Sequence, residues 1–389
     1  MDWNFIIFSA VKIVGVIAVV MTFVAYSVLV ERKVSAWIQD RVGPNRTAPP
    51  FLAKLPVIGP FLIGLGIFQP IADGLKLFMK EDFTPSHVRK GYFWIAPAVA
   101  MAPSLMTIAV IPFGSWMGVQ KMVIADLNVG VLYTFGIVSL AVYGLVLAGY
   151  AANSKYPFLG SIRSSAQMIS YEIAMGMSVI PIFLLAASLN VEGLSSAWQE
   201  LLRGSSSLNL SRVVAYQAEH GWFALPFMAK TQTALSYFVW PLTFLAFIIF
   251  LVSAFAETNR LPFDLPESET ELVGGYHTEY SSMKFGLFFL GEYAAMIAAN
   301  SLIVTLFLGG WTLPFAGLDQ PATSVAIGIA QIAIFIGKML AMMVVMIWVR
   351  WMLPRFRYDQ LMDLGWRRFI PVALANILLV AVVLWATTK

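Results

Sequence analysis

Long runs of apolar residues, separated by shorter polar segments, dominate the chain. A helix needs roughly 20 such residues to cross the hydrocarbon core of a bilayer. The runs are continuously apolar rather than alternating, which favours spanning helices over the strands of a transmembrane barrel. The pattern therefore predicts an all-α, polytopic membrane protein with about eight transmembrane helices. They lie at about Ile6–Val30, Phe93–Ile111, Val129–Tyr150, Ala166–Leu189, Phe238–Phe255, Phe285–Leu308, Ala322–Val349 and Phe369–Trp385.

The lysines and arginines between these runs fall mainly on one side of the membrane. Basic residues accumulate in cytoplasmic loops, so the bias predicts that both termini lie on the outer, periplasmic side. A single membrane domain, 1–389, then has three long connections: a cytoplasmic loop at 31–92, an outer loop at 190–235 and an acidic cytoplasmic loop at 257–284. The run Phe61–Phe68 is too short to span, which favours an interfacial or re-entrant helix in the first loop.

Composition supports a membrane protein and narrows its chemistry. Of 389 residues, 59% are hydrophobic and 12% charged, with a mean hydropathy of +0.78, whereas soluble domains carry roughly 25% charged residues. Cysteine is absent and there are three histidines, which excludes thiolate-held iron–sulfur clusters, cysteine-ligated zinc and disulfides. The net charge of +4 is explained by the basic loops, so membrane lipid and not nucleic acid is the expected partner.

The loop between the fifth and sixth spans is unusually acidic. Its glutamates are interleaved with Leu261, Phe263 and Leu265, and stiffened by Pro262 and Pro266. One interpretation is a solvated charged surface; the apolar residues favour a docking surface and cavity wall instead. Because neighbouring carboxylates repel one another, some of their pKa values should be raised, and we expect proton exchange there. These glutamates are Glu257, Glu267, Glu269, Glu271 and Glu279.

Several ionisable groups lie within predicted spans, where they are costly unless they face protein or water. Glu172 lies about two turns into the fourth span, and Gly176, one turn further along the same face, would permit close helix approach. Glu292 and Tyr293 lie at similar depth in the sixth span and could relay a proton. The alternatives are a hydrogen-bonded packing role for Glu172 and snorkelling for Glu292. Lys338, in the seventh span, should be neutral or paired with an acid.

Five segments, in the same order, resemble a known family. They are Glu31-Arg32-Lys33, Arg41-Val42-Gly43-Pro44-Asn45, Gln69-Pro70-Ile71-Ala72-Asp73-Gly74-Leu75-Lys76, Ile169-Ser170-Tyr171-Glu172 and Ala256-Glu257-Thr258-Asn259-Arg260-Leu261-Pro262-Phe263-Asp264-Leu265. Together they resemble the H subunit of bacterial NADH-quinone oxidoreductase, respiratory complex I, which is the counterpart of mitochondrial ND1. The resemblance runs from about Glu31 to Tyr293, and the number of helices agrees. Two regions depart from the shorter relatives: the apolar insertion Phe51–Gly66 and the long outer loop Asn190–Thr233.

The resemblance implies where quinone and protons would be handled. A quinone chamber would use the first cytoplasmic loop and the acidic loop, with Arg32, Arg41, Asp73, Lys76 and Phe263 at motif positions near it. A proton path would follow, with no covalent chemistry at any residue. Its members would be Glu172, Glu257, Glu267, Glu269, Glu271, Glu279, Glu292 and Tyr293.

The resemblance also implies partners. Peripheral-arm subunits would carry FMN, the iron–sulfur clusters and part of the quinone site, and antiporter-like and small subunits would continue the membrane arm. Quinone would be the substrate, and the location a bacterial inner membrane. Three alternatives stay open from the sequence: the equivalent subunit of a membrane-bound hydrogenase or related dehydrogenase, a stand-alone ion transporter, and a structural anchor without a proton role.

Overall fold

A computed structural model describes most of the chain in atomic detail. It covers residues 3–47, 49, 58–117, 120–189, 191–225, 234–267, 269–314 and 317–388. Within this part, eight helical segments are long and apolar enough to cross a membrane, which confirms the predicted number and the helical class. The protein is thus a multi-pass membrane protein. The spans run over Ser9–Ile38, Lys90–Val110, Gly130–Ala151, Lys155–Ala187, Phe238–Glu257, Ser282–Phe307, Val325–Met352 and Tyr358–Thr387.

Helices account for nearly all of the regular structure. The helices are α1 Trp3–Ile38, α2 Ile58–Leu65, α3 Gln69–Met79, α4 Lys90–Thr107, α5 Gly130–Val138, α6 Leu140–Ala151, α7 Lys155–Ala187, α8 Ser196–Leu201, α9 Leu210–His220, α10 Ala234–Glu257, α11 Glu269–Leu272, α12 Ser282–Phe307, α13 Val325–Met352, α14 Tyr358–Asp363 and α15 Ile370–Thr388.

Five of the spans correspond to one long helix each. The second span continues α4 with a short 3₁₀ turn, and the third consists of α5 and α6. The last span joins α14 to α15 through a π-helical segment, Leu364–Phe369.

The first helix is longer than its apolar run. The sequence predicts an end near Val30, with Glu31-Arg32-Lys33 capping it, and this is wrong: α1 continues to Ile38. The added turns bury Glu31 and Lys33 at 7% exposure each. Polar residues ended the hydropathy run, but they did not end the helix, because protein rather than lipid surrounds that part of it.

The first long loop folds back along the bundle. Helices α2 and α3 meet at a bend of 57°, as in a broken span or a re-entrant loop. The interfacial or re-entrant helix at Phe61–Phe68 stays a prediction. The Nζ of Lys33 donates to the carbonyls of Val42, at 3.1 Å, and Gly64, at 2.7 Å. These bonds hold both sides of the loop against α1. Residues 51–57, the first part of the apolar stretch Phe51–Gly66, lie outside the described residues.

The other end of the bundle is closed by short elements. A two-stranded antiparallel hairpin pairs β1, Trp116–Met117, with β2, Gln120–Lys121. The segment predicted as an outer loop contains α8 and α9, and the buried Trp198 of α8 stacks on Trp311 at 5.3 Å between ring centroids. Buried side chains therefore pack this end of the bundle.

Helices α7 and α12 are the most buried of the spans. Helix α12 contacts α1, α4, α10 and α13, and α7 contacts α6, α10 and α15. Polar residues on α12 therefore face protein and not lipid. This position makes α12 the element on which a buried polar site can be built.

Candidate functional site

A compact group of charges lies where α1, α12, α13 and the acidic loop meet. The Nη1 of Arg260 donates to the Glu31 Oε2 at 3.1 Å, and the hydroxyl of Tyr293 donates to the same oxygen at 2.7 Å. Arg350 donates to Glu31 Oε1. The guanidinium of Arg260 also covers the ring of Tyr293, 4.3 Å from its centroid. The carboxylate of Glu31 thus accepts hydrogen bonds from two cationic side chains and one phenol.

The same arginine reaches Glu292. Its Nε lies 2.7 Å from Glu292 Oε1, and both side chains are largely buried. Burial alone would lower the pKa of Arg260, but the nearby charge of Glu292 and the contact with Tyr293 raise it above its ordinary value. Arg260 is therefore a fixed cation, and only its acidic and phenolic neighbours can exchange protons.

Three members of this group were not predicted as site residues. Glu31 and Arg260 stand in the sequence motifs without an assigned role, and Arg350 stands in none of them. The signal that could have found Glu31 was the apolar periodicity of α1, which continues through Val30, Val34 and Trp37.

A polar cavity of about 660 Å³ opens beside these charges. Its walls come from α1, the acidic loop, α12 and α13, so four separate parts of the sequence build it. The charged residues and phenol that line it are Glu31, Arg32, Arg260, Asp264, Glu267, Glu292, Tyr293 and Arg350.

A second cavity, of about 810 Å³, lies within the bundle. Glu292 and Asn259 line both cavities. Glu257 lines the second cavity and is 8% exposed. The other walls include the apolar and hydroxyl-bearing faces of α4 and α12, among them Ser104 and Thr107. Glu292 thus borders both a charged cavity and an interior one.

Glu172 lies beyond Glu257, within its electrostatic reach. It accepts a hydrogen bond from the hydroxyl of Ser139, at the break between α5 and α6. The close helix approach that Gly176 would permit is not made by the described residues, since a Cβ built there meets nothing within 4 Å. Both residues instead line an open groove between α5 and α7.

The predicted quinone residues are only partly brought together. Arg32 Nη1 lies 2.7 Å from Asp73 Oδ2, and Arg32 lines the polar cavity. Lys76 is exposed on α3, and Arg41 is exposed and donates to Gln39. Phe263 is 3% exposed and packs against Tyr171 and Phe356, at 5.4 and 5.3 Å between ring centroids. Its surroundings are those of a core residue.

The glutamates of the acidic loop separate into interior and surface groups. Glu267 lines the polar cavity and lies 3.9 Å from His277 Nδ1. Glu271 is more than half exposed and pairs with Arg163 at 2.6 Å. Glu279 lies 3.9 Å from His87 Nε2. Glu269 lies in α11, but its side chain is outside the described residues.

Asp264 joins the site although it was not a predicted site residue. Burial, together with the charge of Glu267, raises its pKa to about 7, although Arg355 opposes the shift. The Arg355 Nη2 lies 2.6 Å from Asp264 Oδ2. This carboxyl therefore changes its charge near neutral pH, at the wall of the polar cavity.

Lys338 has partners that the sequence did not indicate. Its Nζ donates to the carbonyls of Leu308, Gly310 and Thr312 at 2.7, 2.9 and 2.7 Å, and lies 3.9 Å from the centroid of a Trp222 ring. No acid among the described residues pairs with it. The Lys338 amino group thus satisfies the carbonyls at the end of α12 and the turn that follows, and it lines neither of the two cavities.

Comparison with known proteins gives a consistent result. The family profile described as NADH dehydrogenase matches residues 11–381. A protein of Koribacter versatilis, named as NADH-quinone oxidoreductase H subunit 2, is 40% identical over 97% of both chains. A Geobacter metallireducens protein, named as H subunit 1 of the same enzyme, is 44% identical over 94% of this chain and 93% of its own.

A third relative, from Flavobacterium psychrophilum, is named as the H subunit of NADH-quinone oxidoreductase and is 41% identical over 99% of both chains. The matches cover the spans, the acidic loop and the residues that line both cavities, not one isolated segment. The chain belongs to the NADH dehydrogenase family, and its relatives here are named as the H subunit of NADH-quinone oxidoreductase.

Proposed function

We propose that the chain is the quinone-binding, proton-coupling membrane subunit of an NADH-quinone oxidoreductase, and that it acts only within the assembled complex. The names of the relatives supply the reaction class and quinone as substrate. One structural observation carries the coupling role: Glu292 lines both a charged cavity and an interior cavity.

The charges of the polar cavity suit a reaction that delivers electrons and takes up protons. A quinone reduced near Arg32, Glu267 and Asp264 gains negative charge before it is protonated. That charge disfavours neighbouring carboxylates in their ionised form, so they bind protons. The fixed cation Arg260 limits the response, because it keeps Glu31 and Glu292 partly compensated throughout. This chain positions the quinone and supplies protons, and a partner subunit supplies the electrons.

The proposed proton route runs from Glu267 to Glu292, on to Glu257 and then to Glu172. Each consecutive pair either lines a common cavity or lies within electrostatic reach. Tyr293 connects Glu292's helix to Glu31 through its hydroxyl. The surface positions of Glu271 and Glu279 suit a contact with the rest of the complex better than a step on this route.

Membership of a multi-subunit enzyme implies further subunits. We propose that peripheral subunits carrying FMN and iron–sulfur clusters dock at the acidic loop, and that antiporter-like and small subunits continue the membrane arm. The basic loops favour a cytoplasmic position for this docking face and an outer position for both termini, in a bacterial inner membrane. The hydrogenase, transporter and anchor alternatives are not favoured, because the relatives are named as oxidoreductase subunits over nearly the whole chain.

Replacing Glu292 tests the proposed route. In the assembled complex, Glu292→Gln should lower NADH-driven proton pumping by about tenfold or more, because an amide cannot pass a proton on. Quinone reduction and acidification are measured together in inverted membrane vesicles. Glu200→Gln, at an exposed position on α8, is the matched control and should leave both rates unchanged. Normal pumping by Glu292→Gln complexes would remove Glu292 from the route.

A further inference from the structure

An apolar groove lies on α1 away from the charged cavities. It has a volume of about 720 Å³ and is formed by α1, α12, α13 and the segment that follows α4. Its walls include Val16, Phe23, Ile111 and Phe335, and Ser301 is the one hydroxyl among the described residues that line it. The lining suits an alkyl chain.

Lys12 lies on the N-terminal side of this groove, on the same face of α1. Lys12 precedes Gly15 and Val16 by three and four residues, which places the three residues on one face of α1. Because helical side chains lean towards the N-terminus, the Lys12 ammonium points away from the groove floor. Its Nζ donates to the carbonyls of Lys121 and Val123, both at 3.1 Å. An ammonium has three donors, so these bonds use two of them.

The charge of Lys12 is not balanced by the carboxylate closest in sequence to its partners. Asp126 pairs with Lys121 at 2.7 Å and also accepts a hydrogen bond from Asn209. Among the described residues, no carboxylate forms an ion pair with Lys12. At its N-terminal end the groove thus meets the ammonium of Lys12, whose partners among the described residues are backbone carbonyls.

Its depth in the membrane identifies the ligand class. At about 1.5 Å per residue, the distance along α1 from Lys12 to Glu31 is roughly 28 Å. This nearly equals the thickness of the hydrocarbon core, about 30 Å. Glu31 marks the charged end of the bundle, so Lys12 lies close to the headgroup layer of the opposite leaflet. A phosphate belongs at that depth, with its alkyl chain pointing into the core.

We propose that this groove binds one acyl chain of an anionic phospholipid, whose phosphate accepts a hydrogen bond from Lys12. The apolar walls hold the chain, and the ammonium selects a headgroup with net negative charge over a zwitterionic one. A lipid seated there fills the space between α1 and α13. This site is independent of the quinone and proton roles proposed above.

A photoactivatable lipid tests the site in the intact complex. Purified complex is reconstituted in nanodiscs containing phosphatidylglycerol with a diazirine on its acyl chain, and labelled peptides are identified by mass spectrometry. Label is expected on peptides covering Gly15–Phe23 and Ile332–Met339. Phosphatidylcholine with the same diazirine chain should label them about tenfold less, because its choline cation repels Lys12 and leaves the headgroup without net charge.

Two pairs of variants separate the head site from the chain site. Lys12→Gln should lower labelling by phosphatidylglycerol about tenfold, and Lys12→Arg should retain it. Gly15→Phe should block the groove without disturbing the fold, since a Cβ at Gly15 meets nothing within 4 Å. Val14→Phe introduces the same ring at a neighbouring position that is 67% exposed, and should leave labelling unchanged. NADH-driven quinone reduction confirms that each variant complex is intact.

Other occupants would give different results. Equal labelling by both lipids, or labelling insensitive to Gly15→Phe, would overturn the proposal. Displacement of the label by a long-chain quinone but not by unlabelled phosphatidylglycerol would make the groove a quinone site. A photoreactive residue placed at Gly15 that captures another protein of the complex would show a protein interface instead.

Discussion

At the scale of single residues, Glu31 shows how one carboxylate organises the site. Arg260, Arg350 and Tyr293 all donate to it. A buried charge with several donors is stabilised in place, and removing one partner of such a group is usually more costly than removing the group altogether. The cluster therefore holds α1, α13 and the acidic loop at a fixed spacing around the polar cavity.

Asp264 carries the pH-dependent prediction. Its folded-state pKa is raised to about 7, chiefly by burial, whereas an aspartate in an unfolded chain loses its proton near pH 4. Between these values the folded state binds more protons than the unfolded state. Stability should therefore fall as pH rises from about 4 to about 7, and this contribution should be constant above that range.

The measurement is the thermal unfolding midpoint of the complex from about pH 5 to about pH 8. Asp264→Asn should flatten the decline, because the amide does not titrate in this range. The titration of one proton changes the free energy of unfolding by at most about 1.4 kcal/mol per pH unit. Asp82→Asn, in which an exposed partner of Lys284 is changed, should keep the wild-type slope. An unchanged slope in Asp264→Asn would show that this carboxyl does not titrate near neutral pH.

At the scale of elements, α2 and α3 depend on α1 for their position. Lys33 donates to the carbonyls of Val42 and Gly64, and Arg32 pairs with Asp73 on α3. At the far end of α3, Ser282 donates to the carbonyls of Leu77 and Lys80. Side chains, rather than helix propensity, therefore fix the bent pair beside the polar cavity.

Lys33→Met should loosen this attachment. Each hydrogen bond from a charged donor contributes roughly 1.5–3 kcal/mol, so the amides of α2 should exchange with solvent at least about tenfold faster. Hydrogen exchange followed by mass spectrometry of the complex measures this directly. Lys80→Met, at an exposed lysine just after α3, is the control. Equal exchange in both variants would show that Lys33 does not hold α2.

At the scale of the whole molecule, the cavities exist because distant parts of the chain converge. Glu31 and Arg350 are 319 residues apart in sequence, and Arg260 and Glu31 are 229 apart. Helix α12 lies among α1, α4, α10 and α13 and presents Glu292 to both cavities. The fold thus surrounds a polar interior with apolar helices, although the chain contains no cysteine to hold an electron carrier.

The isolated chain should therefore be inactive. Reconstituted alone in liposomes, it should show neither quinone reduction by NADH nor proton uptake, because its route has no source of electrons. A pH-sensitive dye inside the liposomes measures uptake, with the whole complex as the positive control. Sustained, driven proton movement by the chain alone would support the transporter alternative.

Part of this protein could be predicted from sequence, for a physical reason. Lipid imposes a local requirement for length and apolarity, so each span is encoded within its own residues and the eight helices follow from hydropathy. The motifs around Arg32, Glu172 and Glu257 likewise indicated the family. Glu292 and Tyr293 were selected because an ionisable residue inside a span needs a partner.

The partners themselves were decided only by the tertiary structure. Hydropathy ended the first helix before Glu31, yet packing against α12 and α13 extends it and buries that carboxylate. Phe263 is adjacent to the acidic residues in sequence but lies in the core, and Lys338 contacts three carbonyls instead of an acid. A charge in a low-dielectric interior takes its role from the groups that surround it, and those come from distant parts of the chain.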